Sequence, residues 1–150
     1  MKKRLIILVA LVGSVIFPLT GISDPLEDTV TYRQGILFGI GWNVGAMGAM
    51  VKGEMSFDKD KFAFLAQRTS VLIPMVLEGF KLETKEIESN AKTNVWSNLS
   101  DFEERFTTLS KGAEELVRIA EVGAESEVKK QFGILAKQCK DCHDKYKKSN

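Results

Sequence analysis

Residues 97–146, SNLSDFEERFTTLSKGAEELVRIAEVGAESEVKKQFGILAKQCKDCHDKY, carry the pattern that decides the fold. Phe102, Phe106, Leu109, Leu116 and Ile119 are separated by three, four or seven residues, which gathers them into one apolar stripe on a 3.6-residue helix. Ser100 followed by Glu103 has the form of a capping box and predicts a start near Ser97–Ser100, and Gly123 predicts the end. The pattern then resumes. Val128, Phe132, Leu135, Cys139, Cys142 and Tyr146 form a second stripe, predicting a helix from about Glu125 to Lys147. Two long amphipathic helices joined by so short a link lie antiparallel, each covering the other's apolar side.

Upstream the same logic repeats. Asp24 as N-cap, Pro25 in the first turn, and Glu27 and Asp28 just inside predict a helix from near Pro25 to about Lys52, stopped by Gly53. Val30, Leu37, Val44 and Val51 recur every seven residues, with Arg33, Ile40 and Met47 on the adjoining stripe. Gly41, Gly45 and Gly48 share one face and suit a tight helix crossing or a flat cofactor plane. A further helix follows Asp58 and uses Phe62, Leu65, Thr69, Leu72 and Val76, with Pro74 ending or kinking it. The polar stretch from Lys81 to Asn94 reads as a long loop. No alternating strand pattern appears. The expected fold is all-α, an antiparallel four-helix bundle.

The first residues read differently. Met1-Lys2-Lys3-Arg4 is followed by 13 nearly unbroken apolar residues, Leu5 to Phe17, then Pro18 and a small-residue segment ending at Ser23. That is the layout of a secretory signal peptide, too short to span a bilayer comfortably. Residues 1–23 are therefore expected to be removed near Ser23/Asp24, leaving a bundle domain of residues 24–150 in the periplasm with no membrane anchor. Removal takes away three cations and no anions, so the formal charge moves from +1 to −2. A nucleic-acid partner has no electrostatic support. Lys145, Lys147 and Lys148 sit at a helix C-terminus, where the helix dipole favours cations.

Cys139-Lys140-Asp141-Cys142-His143 has the spacing by which c-type haem is attached. Each thiol adds to one vinyl group, and the adjacent imidazole is held under the iron as its proximal ligand. On a helix the three side chains stand at i, i+3 and i+4, on one side. Three plainer readings compete. A disulfide across one helical turn would close a tiny loop and stabilise little. A thioredoxin-like redox pair belongs at a strand-to-helix junction, and this pair ends an all-helical chain. Zinc would lack a fourth ligand. The expected cofactor is one haem c per chain, bound through Cys139 and Cys142, with His143 as metal ligand.

His143 is the only histidine, so this chain cannot supply bis-histidine ligation. Met47, Met50, Met55 and Met75 remain as thioether candidates, each equally suited to filling the core. No acid–base pair or nucleophile constellation is visible, so the chain does not read as an enzyme.

The export signal, the four helices and the C-terminal Cys139–Tyr146 segment together resemble cytochrome c′, the class II c-type cytochromes. Tyr32-Arg33-Gln34, Val51-Lys52-Gly53-Glu54, and Ser89-Asn90-Ala91-Lys92 leading to Trp96 extend the resemblance over nearly all of residues 24–150. It implies that Arg33 and Gln34 contact the haem and its propionates. It also implies that Leu37 sits over the iron on the distal face, and that Ser89 or Asn90 touches the haem edge. Phe80 is a candidate distal aromatic. The family carries Arg four residues after the ligand His, where this chain has Lys147.

The resemblance further implies five-coordinate, high-spin iron that binds NO and CO in an apolar pocket, with electron transfer as a further capacity, and pairing of subunits through the first two helices. The alternative is a six-coordinate, low-spin Met/His electron carrier of the same bundle family.

Overall fold

Asp24 opens the first helix as its sequence suggests: the carboxylate accepts the Leu26 amide at 2.9 Å, ahead of Pro25. This helix, α1 (Pro25–Lys52), ends where Gly53 turns left-handed at φ 77° and its N–H reaches back to the Ala49 and Met50 carbonyls. The computed structural model describes residues 24–149; the expected export segment, residues 1–23, lies outside the described residues.

Asp58 caps the second helix, α2 (Lys59–Met75), by accepting the Lys61 amide at 3.0 Å. The α-helix ends at Met75, one residue after Pro74, as the sequence suggests. The chain then tightens into a 3-10 turn, Val76–Phe80. After the expected loop come a one-turn helix, α3 (Asn94–Ser97), then α4 (Leu99–Val122) and α5 (Glu125–Tyr146).

The start of α4 differs from the expected capping box. Helical residues begin at Leu99, so Ser100 already lies inside the first turn. Asn98 occupies the cap, and its side chain donates backward to the Asn94 carbonyl at 2.9 Å, tying α4 to α3. The helix that does use a reaching carboxylate is α5, where Glu127 accepts the Ala124 amide at 2.8 Å.

The four long helices run antiparallel in the order α1, α2, α4, α5. Gly39 lies against Leu72 and Arg33 against Gly79, which sets α1 on α2. Gln131 bonds the Gly112 carbonyl and Tyr146 bonds Asp101, which sets α4 on α5. The fourth seam, between α1 and α5, is the loosest of the neighbouring pairs. It closes at one end, where Gly48 receives the Phe132 ring.

Phe62, Ile73, Val76, Leu116, Val128 and Leu135 are buried between the helices, each contributing about 1.5–3 kcal/mol by leaving water. Beside the Gly48–Phe132 contact, the Phe62 ring of α2 and the Phe132 ring of α5 meet edge-on at 5.9 Å. At the other end Phe80, Phe102, Phe106 and Tyr146 form an aromatic chain. Among the described residues no helix is long and apolar enough to cross a membrane.

Candidate haem-binding site

The closed end of the α1–α5 seam fixes what lies along the rest of it. Eleven residues lead from Gly48 back to Leu37, and eleven lead from Phe132 forward to His143. Eleven residues make almost exactly three helical turns, so Leu37 stays on the face of Gly48 and His143 on that of Phe132. In antiparallel helices the two therefore stand at the same level, about 16 Å along the seam from the Gly48–Phe132 contact.

Between the helices the seam is lined by little. A methyl placed on Gly41 or Gly45 of α1, or on Gly133 of α5, would meet nothing within 4 Å. The face shared by Gly41, Gly45 and Gly48 thus holds one close helix contact, at Gly48, and open space beyond it. Leu37 belongs to the apolar stripe yet is 38% exposed.

Cys139, Cys142 and His143 occupy the last turns of α5. Both thiols are free and half-buried. Burial pushes the Cys139 and Cys142 thiols up from their ordinary value, and burial followed by nearby Lys147 pulls the imidazole of His143 down. Among the described residues no cluster of three His, Cys, Asp or Glu side chains is arranged to hold a metal ion by itself.

Arg33, one turn before Leu37, is 1% exposed. Its Nη1 donates to the Gly79 carbonyl at 3.1 Å and to the Thr84 hydroxyl at 2.5 Å, and its Nη2 donates to the Ser89 hydroxyl at 3.0 Å. The guanidinium lies 4.6 Å from the Phe80 ring centre and 5.7 Å from that of Trp96. Burial pulls its pKa down, and no ion pair among the described residues includes it. A buried cation surrounded only by neutral oxygens and ring faces is suited to a carboxylate.

Gln34 is exposed beside it. Phe80, the candidate distal aromatic, is 5% exposed and packs on Trp96 and Phe102 beneath Arg33. Ser89 reaches Arg33, and the Asn90 carbonyl accepts the Lys148 amide at 2.8 Å, so both border the seam's open end.

The methionines lie elsewhere. Met47 and Met50 are buried in the core, and Met55 lies beyond Gly53 at the closed end. Met75 follows Phe64, Arg68 and Val71 on the outward stripe of α2.

The helix ends at Tyr146, close to the expected Lys147, which caps it in extended conformation and is bridged to Ala91.

The donor set fits a haem. Two thiols and an imidazole share one helix face, a glycine-lined seam lies in front of them, and a buried cation without an acid stands across it.

Comparison with known proteins supports this directly. Residues 28–147 match the family described as cytochrome c′. The cytochrome c′ of Halomonas halodenitrificans is 34% identical over 127 residues, covering 81% of this chain and 96% of that protein. The structure of cytochrome c prime from Shewanella frigidimarina superposes with a TM-score of 0.81 at 31% identity, covering 85% of this chain and 99% of the other. A ferrous variant of cytochrome c prime from Alcaligenes xylosoxidans with bound NO has a TM-score of 0.76 at 26% identity, covering 83% and 97%. With its two cysteines placed for covalent attachment of haem c, the chain belongs to the cytochrome c′ family.

Proposed function

We propose that this protein is an exported, five-coordinate haem protein that binds NO and CO at the face opposite His143. The observation that carries the reading is the register of the α1–α5 seam. It brings Leu37 level with His143, with Gly41 and Gly45 beside it and no methionine on that face.

When bound, haem c supplies an iron open to a small gas on the side away from the imidazole. Cys139 and Cys142 anchor it to α5, and His143 holds the iron. Arg33, held in place by Gly79, Thr84 and Ser89, takes a propionate with its remaining donor capacity, and Gln34 assists from the exposed edge. Leu37 crowds the gas side and offers no hydrogen bond. Bound dioxygen carries partial negative charge and gains from a donor, whereas NO and CO need one less, so the pocket selects against oxygen.

The six-coordinate Met/His reading lacks a methionine in the right place, since the four candidates lie in the core, at the closed end or on the outer face. We assign no catalytic role. Residues 1–23 act as the export signal and residues 24–150 as the periplasmic domain.

Two copies pair through α1 and α2. Phe38 and Trp42 on α1, and Phe64 and Val71 on α2, are 73%, 69%, 60% and 56% exposed and share one outer side of that helix pair. Apolar groups so grouped mark an interface, and a second copy brings an identical patch.

Leu37→Ala tests the pocket. Removing a side chain that guards the iron without supporting the core is expected to raise the NO and CO association rates by at least about tenfold, for a loss of only about 1 kcal/mol of stability from a partly exposed leucine. Unchanged rates in flash photolysis would show that Leu37 does not stand over the iron.

A further inference from the structure

One buried side chain of α1 is not accounted for by the packing of an apolar core. Asn43 is 1% exposed, and neither its Nδ2 nor its Oδ1 has a hydrogen-bond partner among the described residues. A buried polar group left unpaired shifts the folding equilibrium against the native state by roughly tenfold or more. The other unpartnered atoms, Asn94 Oδ1 and Gln138 Oε1, belong to half-buried residues. Asn43 is sealed inside the bundle.

Its partner does not lie on the glycine-lined side of the α1–α5 seam. Asn43 is two residues from Gly41 and two from Gly45, which places it about 160° round the helix from both, and it is five from Gly48, about 140° away. It is also closed to solvent, whereas Leu37 is 38% exposed.

The helix that Asn43 faces is α2. Gly39, one turn before Asn43, lies so near α2 that a methyl there would stand 3.2 Å from Leu72 Cδ1. In antiparallel helices one turn forward on α1 is one turn back on α2. From Leu72 that step leads to Arg68 and Thr69, and of the two Thr69 is buried, at 1% exposure. Asn43 and Thr69 therefore stand at one level of the α1–α2 interface. Along their own helices they are flanked by buried apolar residues, Met47 on α1 and Leu65, Ala66 and Ile73 on α2.

The two residues do not satisfy each other. The Thr69 hydroxyl gives its hydrogen to the Leu65 carbonyl at 2.9 Å, so it can only accept further. Asn43 makes no hydrogen bond to it. Asn43 Oδ1 needs a donor, and the backbone amides of both helix interiors are committed to their own ladders. What completes this layer must donate at least two hydrogens, must be neutral, and must fit inside a closed interface. Water meets all three conditions.

We propose that Asn43 and Thr69 form a buried water site that joins α1 to α2. One water donates a hydrogen to Asn43 Oδ1 and the other to Thr69 Oγ1. A second water, between the first and Asn43 Nδ2, completes the amide. The site is independent of the gas-binding reading, because Asn43 lies on the far side of α1 from the seam.

A high-resolution crystal structure of the holoprotein tests the site without any substitution. Density for a water within about 2.7–3.2 Å of both the Asn43 amide and Thr69 Oγ1 is expected. Asn43 bonded directly to a protein group, or turned out to solvent, with no such density would overturn the proposal.

Urea unfolding of the holoprotein reads the bridge separately. Asn43→Leu and Thr69→Val each remove one end of it, so the two changes do not act independently. Their joint effect on the unfolding equilibrium constant should differ from the product of the single effects by about twofold or more. Effects that simply multiply would overturn the bridge between the two residues.

Discussion

Gly79→Ala tests how α1 is held against the rest of the site. Gly79 is buried in the 3-10 turn, directly under Arg33. Its φ is not positive, so alanine fits the backbone and any penalty is one of space. A methyl there would stand 2.5 Å from Arg33 Cβ, 3.3 Å from its Cα and 3.4 Å from its amide nitrogen. All three atoms are fixed by the backbone of α1, so no change of rotamer relieves the contact.

Carbon atoms rest at about 3.5–4.0 Å, so the turn and α1 must separate by roughly 1 Å. Overpacking of that size costs about 1–3 kcal/mol. Loosening the Arg33–Gly79 hydrogen bond, 3.1 Å long, adds about 1 kcal/mol. Urea unfolding of the holoprotein should therefore show a loss of about 2–4 kcal/mol with the slope unchanged. Gly133→Ala, where a methyl meets nothing, should instead gain about 0.5–1 kcal/mol from helix propensity. If Gly79→Ala fell within about 0.5 kcal/mol of the parent, the direct packing of α1 on the turn would be refuted.

Other expectations follow from the same structure. Arg105, then the Tyr146 hydroxyl, then Lys145 hold the Asp101 carboxyl well below the usual carboxylate range. A lowered native pKa contributes stability that is fully present above the unfolded value of about 4 and is lost as pH falls toward the native one. Asp101→Asn should thus lower Tm at neutral pH, with the difference from the parent shrinking progressively as pH falls below about 4, and a Tm difference constant with pH would contradict this. Trp42→Glu, at an exposed position in the α1–α2 patch, should give monomers in sedimentation experiments without loss of helicity, and an unchanged dimer would place the interface elsewhere.

The sequence shows most clearly what depends on neighbouring residues. Asp24, Pro25, Gly53 and Asp58 mark helix ends because capping is settled within one turn, and all four act as they read. The Cys139–His143 segment is equally local, since one helix presents all three side chains.

What depends on distant residues is harder to read. The seven-residue recurrence of Val30, Leu37, Val44 and Val51 places these residues together, but a straight helix drifts by about 20° per heptad against that repeat. The buried face in fact passes through Arg33, Met47 and Met50, leaving Leu37 at its margin beside the seam. Arg33 reads as an amphipathic surface residue because Gly79, Phe80, Thr84, Ser89 and Trp96, which enclose it, lie some fifty residues away. Ser100 and Glu103 form a valid local signal that loses to Asn98, which is bound to a short helix the periodicity does not reveal. The positions of Lys147 and Lys148 likewise depend on Asn90 and Ala91, more than fifty residues earlier.

The central claim is an iron with His143 on one side and only Leu37 on the other. The electronic absorption of the ferrous protein at neutral pH tests it most directly. A broad high-spin spectrum without a resolved α-band is expected. A sharp, split α-band of a low-spin haem would mean that a methionine or another group fills the sixth position, and the open gas site would fall with it.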